Sequence, residues 1–181
     1  MNPPRTPFYR AVEWYAKRSY GRVLDPVRAA GHHAGVLRAV WGFERSAAKW
    51  NRLDPTLKAL AEMGSATVIG CSWCVDFGYW ESSRRGVPAA KLRAVPSWRT
   101  SEVFTAVERD VLEYAEAMTA TPPAVTDELA DRLRDGLGEA AFVELTAVVA
   151  LENLRSRTNA ALGLSSQGFK DSCAVPPPPG S

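Results

Sequence analysis

Histidine and cysteine are scarce in this chain, with 2 and 3 copies. A structural zinc centre takes four Cys or His ligands at short, repeated spacings. His32 and His33 have no Cys, Asp or Glu at ligand spacing around them, and neighbours on a helix point apart. The one Cys-x-x-Cys supplies two ligands and no second pair follows it, so no metal is expected. Neither sign of charge is in excess: 22 Lys and Arg against 20 Asp and Glu give a net charge of +2, spread along the chain. That balance argues against nucleic acid or an anionic membrane as partner. No apolar run approaches the roughly 20 residues that span a bilayer, and Met1-Asn2-Pro3-Pro4-Arg5 lacks the apolar core of a signal peptide. A cytoplasmic protein without a membrane segment is expected. The period-two alternation of strands is missing throughout, and no glycine-rich phosphate loop accompanies the aromatic residues, so no cofactor is expected either.

What the chain has is helical periodicity. With 181 residues, 46% hydrophobic and 23% charged, it is long enough for one well-buried domain. Phe8, Val12, Tyr15 and Ser19 share a face of an opening helix that should end at Gly21. A second helical run, from Gly35 to Trp50, carries Leu37, Val40 and Trp41. Asp54-Pro55 opens a third, apolar through Leu57, Leu60, Ala61, Met63 and Val68, which Gly70 breaks. Gly86-Val87-Pro88 stops the helix that follows. Thr105 and Glu108 form a capping box, Thr121-Pro122-Pro123 ends that helix, and Thr126 caps a shorter one closed by Gly136. The longest helix runs from about Glu139 to Leu162, with Asn153 and Ser156 inside its apolar stripe. Such polar groups either bond neighbouring backbone or face a pocket. The expectation is an all-α, single-domain bundle of about six to eight helices. Beyond Ser165 the chain is polar and ends in Pro176-Pro177-Pro178-Pro179-Gly180-Ser181, a polyproline tail that should not pack, with Cys173 an incidental thiol within it.

Chemistry stands out in one stretch, Gly70-Cys71-Ser72-Trp73-Cys74. The two cysteines fall on the first turn of a helix, close enough to form a small disulfide ring. Unpaired N–H groups at a helix N-terminus favour a thiolate and lower its pKa from about 8.5. Of the carboxylates nearby, Asp76 points away from Cys74 around the helix axis. Glu81 lies two turns beyond Cys74 on nearly the same face, roughly 10 Å along the axis, and Glu62 sits on the preceding helix. Both are candidate proton relays. Trp73 and Phe77 are candidate pocket-lining residues, with the core as the alternative place for the Trp73 ring.

The preceding helix, the Cys-x-x-Cys and the Gly86-Val87-Pro88 that follows it resemble the carboxymuconolactone decarboxylase-like superfamily, and within it the alkylhydroperoxidase D branch. The stretches Glu108-Arg109-Asp110-Val111-Leu112-Glu113-Tyr114-Ala115 and Asn153-Leu154-Arg155-Ser156-Arg157-Thr158-Asn159 are similar to later helices of that family. The resemblance covers roughly residues 20–164, which divides the chain into an N-terminal helical extension (1–20), a helical domain (21–164) and a tail (165–181). It implies that Cys74 attacks a hydroperoxide, that Cys71 then closes a disulfide, and that an external thiol or disulfide reductant reopens it. It also implies a homo-oligomer, trimer or hexamer, with a dimer as the smaller option. In that branch a histidine lies four residues past the second cysteine and a glutamate twelve before the first; here Gly78 and Ala59 occupy those positions. A histidine at 78 is expected to raise turnover near neutrality if the pocket holds its ring. Without that relay, the alternative is a family member with no peroxidase activity, non-enzymatic or with another small-molecule role.

Overall fold

The computed structural model describes residues 3–173, and among these it contains nine α-helices and no strand. The chain divides into two compact units, one ending at Trp50 and one beginning at Asn51. The first holds α1 (Pro7–Tyr20), α2 (Asp25–Ala30) and α3 (Ala34–Ala47). Its small core joins Tyr9 and Val12 to Leu37, with Phe8, Val27, Ala30 and Trp41 packed around them. The helix expected as an N-terminal extension over residues 1–20 shares this core with α3. Its buried face is also turned from the expected one: Tyr9, Val12 and Ala16 are buried, while Tyr15 is 41% exposed. His33 has a structural task, its Nδ1 accepting from the Val36 N–H at 3.2 Å to cap α3.

The second unit is built on α4 (Pro55–Ile69), which packs against α5 (Ser72–Arg84), α7 (Ala106–Thr119) and α9 (Glu139–Ala161). A helix with partners on three sides must be apolar nearly all round. Accordingly Leu57, Ala59, Leu60, Ala61, Met63, Gly64, Ser65 and Ala66 are all buried. Asp54 caps its start, accepting from the Thr56 and Leu57 N–H groups at 2.8 and 3.2 Å. The remaining helices are α6 (Ala89–Ala94) and α8 (Asp127–Leu137). The two six-residue helices α2 and α6 lift the count above six to eight. Thr105 and Glu108 form the expected capping box on α7. Gly136 falls inside α8, which runs on to Leu137 and is closed by Gly138 instead.

Two positions on α5 decide how its surroundings pack. Gly78 faces α4 so closely that a Cβ there would stand 2.8 Å from Met63 Sδ, and Met63 is itself 3% exposed. The position that the resemblance gives to a relay histidine is thus filled by the neighbouring helix. Asp76, 1% exposed, points the other way and accepts from the backbone N–H groups of Gln167, Phe169 and Lys170 at 2.9, 3.0 and 2.8 Å. Phe169, 2% exposed, packs edge-on against Phe77 and tilted against Trp80. The segment just past Ser165 is therefore a strap fixed to α5 and not the unpacked tail that its polar composition predicts. It runs into a 3₁₀ turn at Lys170–Cys173. The polyproline run lies outside the described residues.

Burial by itself would push the Asp76 carboxyl up, but the N–H groups of Lys170 and Phe169, the Ser166 hydroxyl and the Gln167 N–H hold it below the ordinary carboxylate range. A carboxylate whose folded pKa is depressed gives stability above its unfolded value near 4, lost as pH falls through the folded value. Asp76→Asn should cost about 3 kcal/mol: a hydrogen bond to a charged group is worth ~1.5–3 kcal/mol, and the amide keeps one acceptor oxygen while its NH₂ opposes the N–H donors. It should also remove this acid-side slope, measured by denaturant unfolding between pH 3 and 7, and expose residues 165–170 to limited proteolysis. Gly78→His should lower stability by ~1–3 kcal/mol through overpacking against Met63. It should not raise thiol activity at neutral pH, the opposite of the outcome expected from a ring-holding pocket; thermal melts and peroxide turnover check both.

Candidate redox site

Gly70 ends α4 in the left-handed conformation, φ 78°, which an L side chain adopts only with strain. Its N–H and that of Cys71 both return to the Ala66 carbonyl, at 3.0 and 3.1 Å. The chain thus leaves one helix and enters the next with almost no loop between them. Cys71 becomes the N-cap of α5, its sulfur accepting from the Cys74 N–H at 3.2 Å. The two Cα atoms are 5.3 Å apart and the sulfurs are at disulfide distance. No acidic residue occupies the first turn of α5, so nothing there offsets the positive end of the helix. Both thiol positions are buried, with Cys71 2% and Cys74 6% exposed.

The other side of the pair comes from α9. Asn159 Nδ2 donates to Cys74 Sγ at 3.3 Å, and Asn159 is 4% exposed. One turn back on the same face, Ser156 is fully buried, and its hydroxyl donates to Glu152 Oε1 at 2.6 Å. Glu152, 5% exposed, shares Arg155 with Glu62: Arg155 Nη1 lies 3.3 Å from Glu152 and 2.9 Å from Glu62. Burial, foremost, pushes the Glu152 carboxyl up to about 7; the Glu62 charge adds to the rise, and Arg155 and the Ser156 hydroxyl offset part of it. The structure therefore gathers Cys71, Cys74, Asn159, Ser156, Glu152, Arg155 and Glu62 along the facing sides of α4, α5 and α9.

Other candidates go elsewhere. Glu81 forms an i,i+4 pair with Arg85 at 2.6 Å, its side chain 31% exposed. Trp73 and Phe77 stack on each other at 5.0 Å. The Trp73 indole donates to Gln167 Oε1 at 2.7 Å and Phe77 meets Phe169, so both rings hold the strap. Asn153 faces α7, donating to Thr119 Oγ1 at 2.8 Å and accepting from Arg157 Nε at 3.2 Å. A cavity of about 310 Å³ in this unit is lined by Thr67, Val68, Trp98, Arg99, Leu112 and Glu116 among others, and not by the cysteines. Among the described residues no group of three Cys, His, Asp or Glu is placed to hold a metal ion, and no helix is long and apolar enough to cross a membrane. Glu152 and the contact of Asn159 with sulfur are additions to the sequence-based expectations. Their signal in the sequence is the set of polar residues at 152, 156 and 159, an i, i+4, i+7 stripe on an otherwise apolar helix face.

Comparisons with known proteins bear on this arrangement. The model of the carboxymuconolactone decarboxylase family matches residues 34–117, a stretch that contains both cysteines. YnjA of Escherichia coli K12, an uncharacterized protein, is 37% identical over 171 residues, 92% of this chain and 91% of its own. The debrominase Bmp8, in a cysteine-to-alanine variant in complex with 2,3,4-tribromopyrrole, superposes with a TM-score of 0.82 at 21% identity, over 94% of this chain and 93% of that one. An uncharacterized peroxidase-related protein from Silicibacter sp. TM1040 does so with a TM-score of 0.79 at 14% identity, over 89% and 85%. At such identities the structural likeness speaks for a shared fold. Taken with the matched helices around Cys71 and Cys74 and a relative alike over nearly its whole length, it follows that this chain belongs to the carboxymuconolactone decarboxylase family.

Proposed function

We propose that the chain is a thiol peroxidase in which Cys74 reduces a hydroperoxide and Cys71 resolves the product. The observation that carries this is the Cys71/Cys74 pair at disulfide distance on a helix N-terminus, with Asn159 donating to the Cys74 sulfur. Deprotonated Cys74 attacks the hydroperoxide ROOH, the O–O bond breaks, and the products are Cys74 sulfenic acid and ROH after the alkoxide takes a proton. The Cys71 thiol then displaces water from the sulfenic acid, closing the disulfide. An external dithiol reopens it by exchange and is itself oxidised to a disulfide. The cycle suits a reducing compartment such as the cytoplasm. Peroxide treatment of the reduced protein should give an intramolecular Cys71–Cys74 disulfide by mass spectrometry, and Cys71→Ser should leave a trappable sulfenic acid on Cys74. A label found on Cys71 in Cys74→Ser and never on Cys74 would reverse the two roles.

A second reading draws on the likeness to the Bmp8 debrominase across 94% of the chain. The same dithiol supplies two electrons and two protons, enough to replace an aryl C–Br bond by C–H with release of HBr and formation of the disulfide. Parallel turnover assays with cumene hydroperoxide and with 2,3,4-tribromopyrrole, each with dithiothreitol as reductant, separate the readings: the substrate that is consumed with Cys74-dependent kinetics identifies the chemistry.

Asn159 is assigned to hold the sulfur as thiolate. Asn159→Ala should raise the Cys74 pKa by about one unit and slow its alkylation at pH 7 about tenfold, since a hydrogen bond to a charged group is worth ~1.5 kcal/mol or more. The pH dependence of iodoacetamide labelling measures both. A homo-oligomer also belongs to this reading: Val143 and Leu154 on α9 are 64% and 51% exposed, and burying such side chains favours association. Light scattering should give a multiple of the 19.7 kDa chain mass.

A further inference from the structure

Cys71 and Cys74 are 2% and 6% exposed, and the cavity of about 310 Å³ in this unit is lined by neither. A hydroperoxide or an external dithiol has to touch a sulfur, so a neighbour of the pair must move aside. Three sides belong to the packed helices. Towards α4 the space is filled by Met63, which a Cβ at residue 78 would meet at 2.8 Å. The elbow at Gly70 is tied back to the Ala66 carbonyl. Towards α9 stands Asn159, on the Cys74 sulfur, with Ser156 fully buried one turn before it.

The strap borders the pair on a further side and is held differently. It leaves α9 at Gly163, whose backbone is left-handed at φ 66°, and the Leu164 N–H returns to the Asn159 carbonyl at 2.9 Å. At Gln167 it accepts from the indole of Trp73 at 2.7 Å, and Trp73 stands between the two cysteines in the chain. Residues 164–167, at most about 14 Å when fully extended, thus cross from the residue that touches Cys74 to the residue flanked by both thiols. Beyond them Phe169 packs on Phe77 and Trp80, each with ring centroids 5.3 Å away. The strap has no regular structure over 164–169, and Phe169 is its one buried side chain. A segment with so little buried side chain opens at lower cost than the helices around it, and a loop position at its start absorbs the change of backbone angles.

We infer that residues 164–170 are the gate of the cysteine pair: the closed strap shields the sulfurs, and its release from Trp73 and Phe77 admits the molecules that react with them. This rests on the thiol chemistry proposed above, to which the gate adds selection by size. Hydrogen peroxide needs a narrow opening, whereas cumene hydroperoxide or a protein dithiol needs the strap displaced. Gln167 and Phe169 act through Trp73 and Phe77 and are positioning residues.

The test needs no peroxide. A Cys71→Ser, Cys173→Ser background leaves Cys74 as the thiol to label, since the chain has 3 cysteines. It is labelled at fixed pH with iodoacetamide and with the bulkier N-(1-pyrenyl)maleimide. Phe169→Ala should label about tenfold faster with the pyrenyl reagent and gain less with iodoacetamide. Gln167→Ala should shift both rates in the same sense, and Phe169→Leu should return them towards the parent values. The pH midpoint of labelling should stay in place, because the strap controls access and not the titration of the thiol. Rates no faster than the parent's in a chain whose strap limited proteolysis cuts, or equal gains with both reagents, overturn the gate. Should Phe169→Ala fail to fold, hydrogen exchange in the background chain decides. The opening equilibrium read from Cys74 labelling should match that of the Phe169 and Lys170 N–H groups; a match to the α4 amides instead, which open with global unfolding, overturns the gate. Absence of peroxide turnover beside strap-dependent labelling keeps the gate and removes the peroxidase reading alone.

Discussion

The Gly70 turn fixes both thiols at once. Because Gly70 takes a left-handed backbone and the Cys71 N–H reaches back to Ala66, α5 begins with no intervening loop, and Cys71 must be its N-cap. A loop of several residues would have allowed the cysteines to sit anywhere around the helix start. With none, Cys74 falls at the third helical position, its N–H satisfied by the Cys71 sulfur. The rest of the second unit serves to hold this elbow. The all-round burial of α4 anchors one arm, and the strap on Asp76 anchors the other.

The same close packing leaves α9 to supply the polar contact to the cysteine pair, the Asn159 amide on Cys74. Gly78 gives α5 its contact with α4 at Met63, and Ala59 lies in the apolar cluster with Leu60, Met63 and Leu112. A side chain added at residue 78 would displace the Met63 side chain, and Ala59 is buried among apolar neighbours, in an interior that resists even one added methylene. A polar group without a partner in that layer would also cost about 1–3 kcal/mol. The polar stripe of α9 is where donors and acceptors satisfy one another from Glu62 through Arg155, Glu152 and Ser156.

The helical fold is legible in the sequence because each helix is locally consistent. Asp54, Thr105 and Thr126 cap where the sequence places them, and Gly21 and Gly70 stop helices with left-handed backbone. The cysteine pair is legible for the same local reason. Contacts between residues far apart in the chain are not. Asn159 and Cys74 are separated by 85 positions and Phe169 and Asp76 by 93, and pairing them requires the crossing geometry of the helices. Asn153 and Glu152 are neighbours in the chain, yet one residue on a helix is a turn of about 100°. That turn aims Asn153 at Thr119 on α7 and Glu152 at the Arg155 and Ser156 stripe. Helical geometry correctly directs Asp76 away from Cys74, but its partner is a strap of polar sequence with one aromatic residue to bury, and nothing in that composition announces a packed segment.

Buried charge sorts two carboxyls of this unit by their surroundings. Asp76 is surrounded by fixed N–H dipoles, so its ionised form is stabilised and the strap it holds does not depend on pH in the neutral range. Glu152 shares its one cation with Glu62, and burial, foremost, pushes its carboxyl up to about 7. Burial is the foremost influence on both carboxyls; the donors that meet Asp76 outweigh it, and those that meet Glu152 do not.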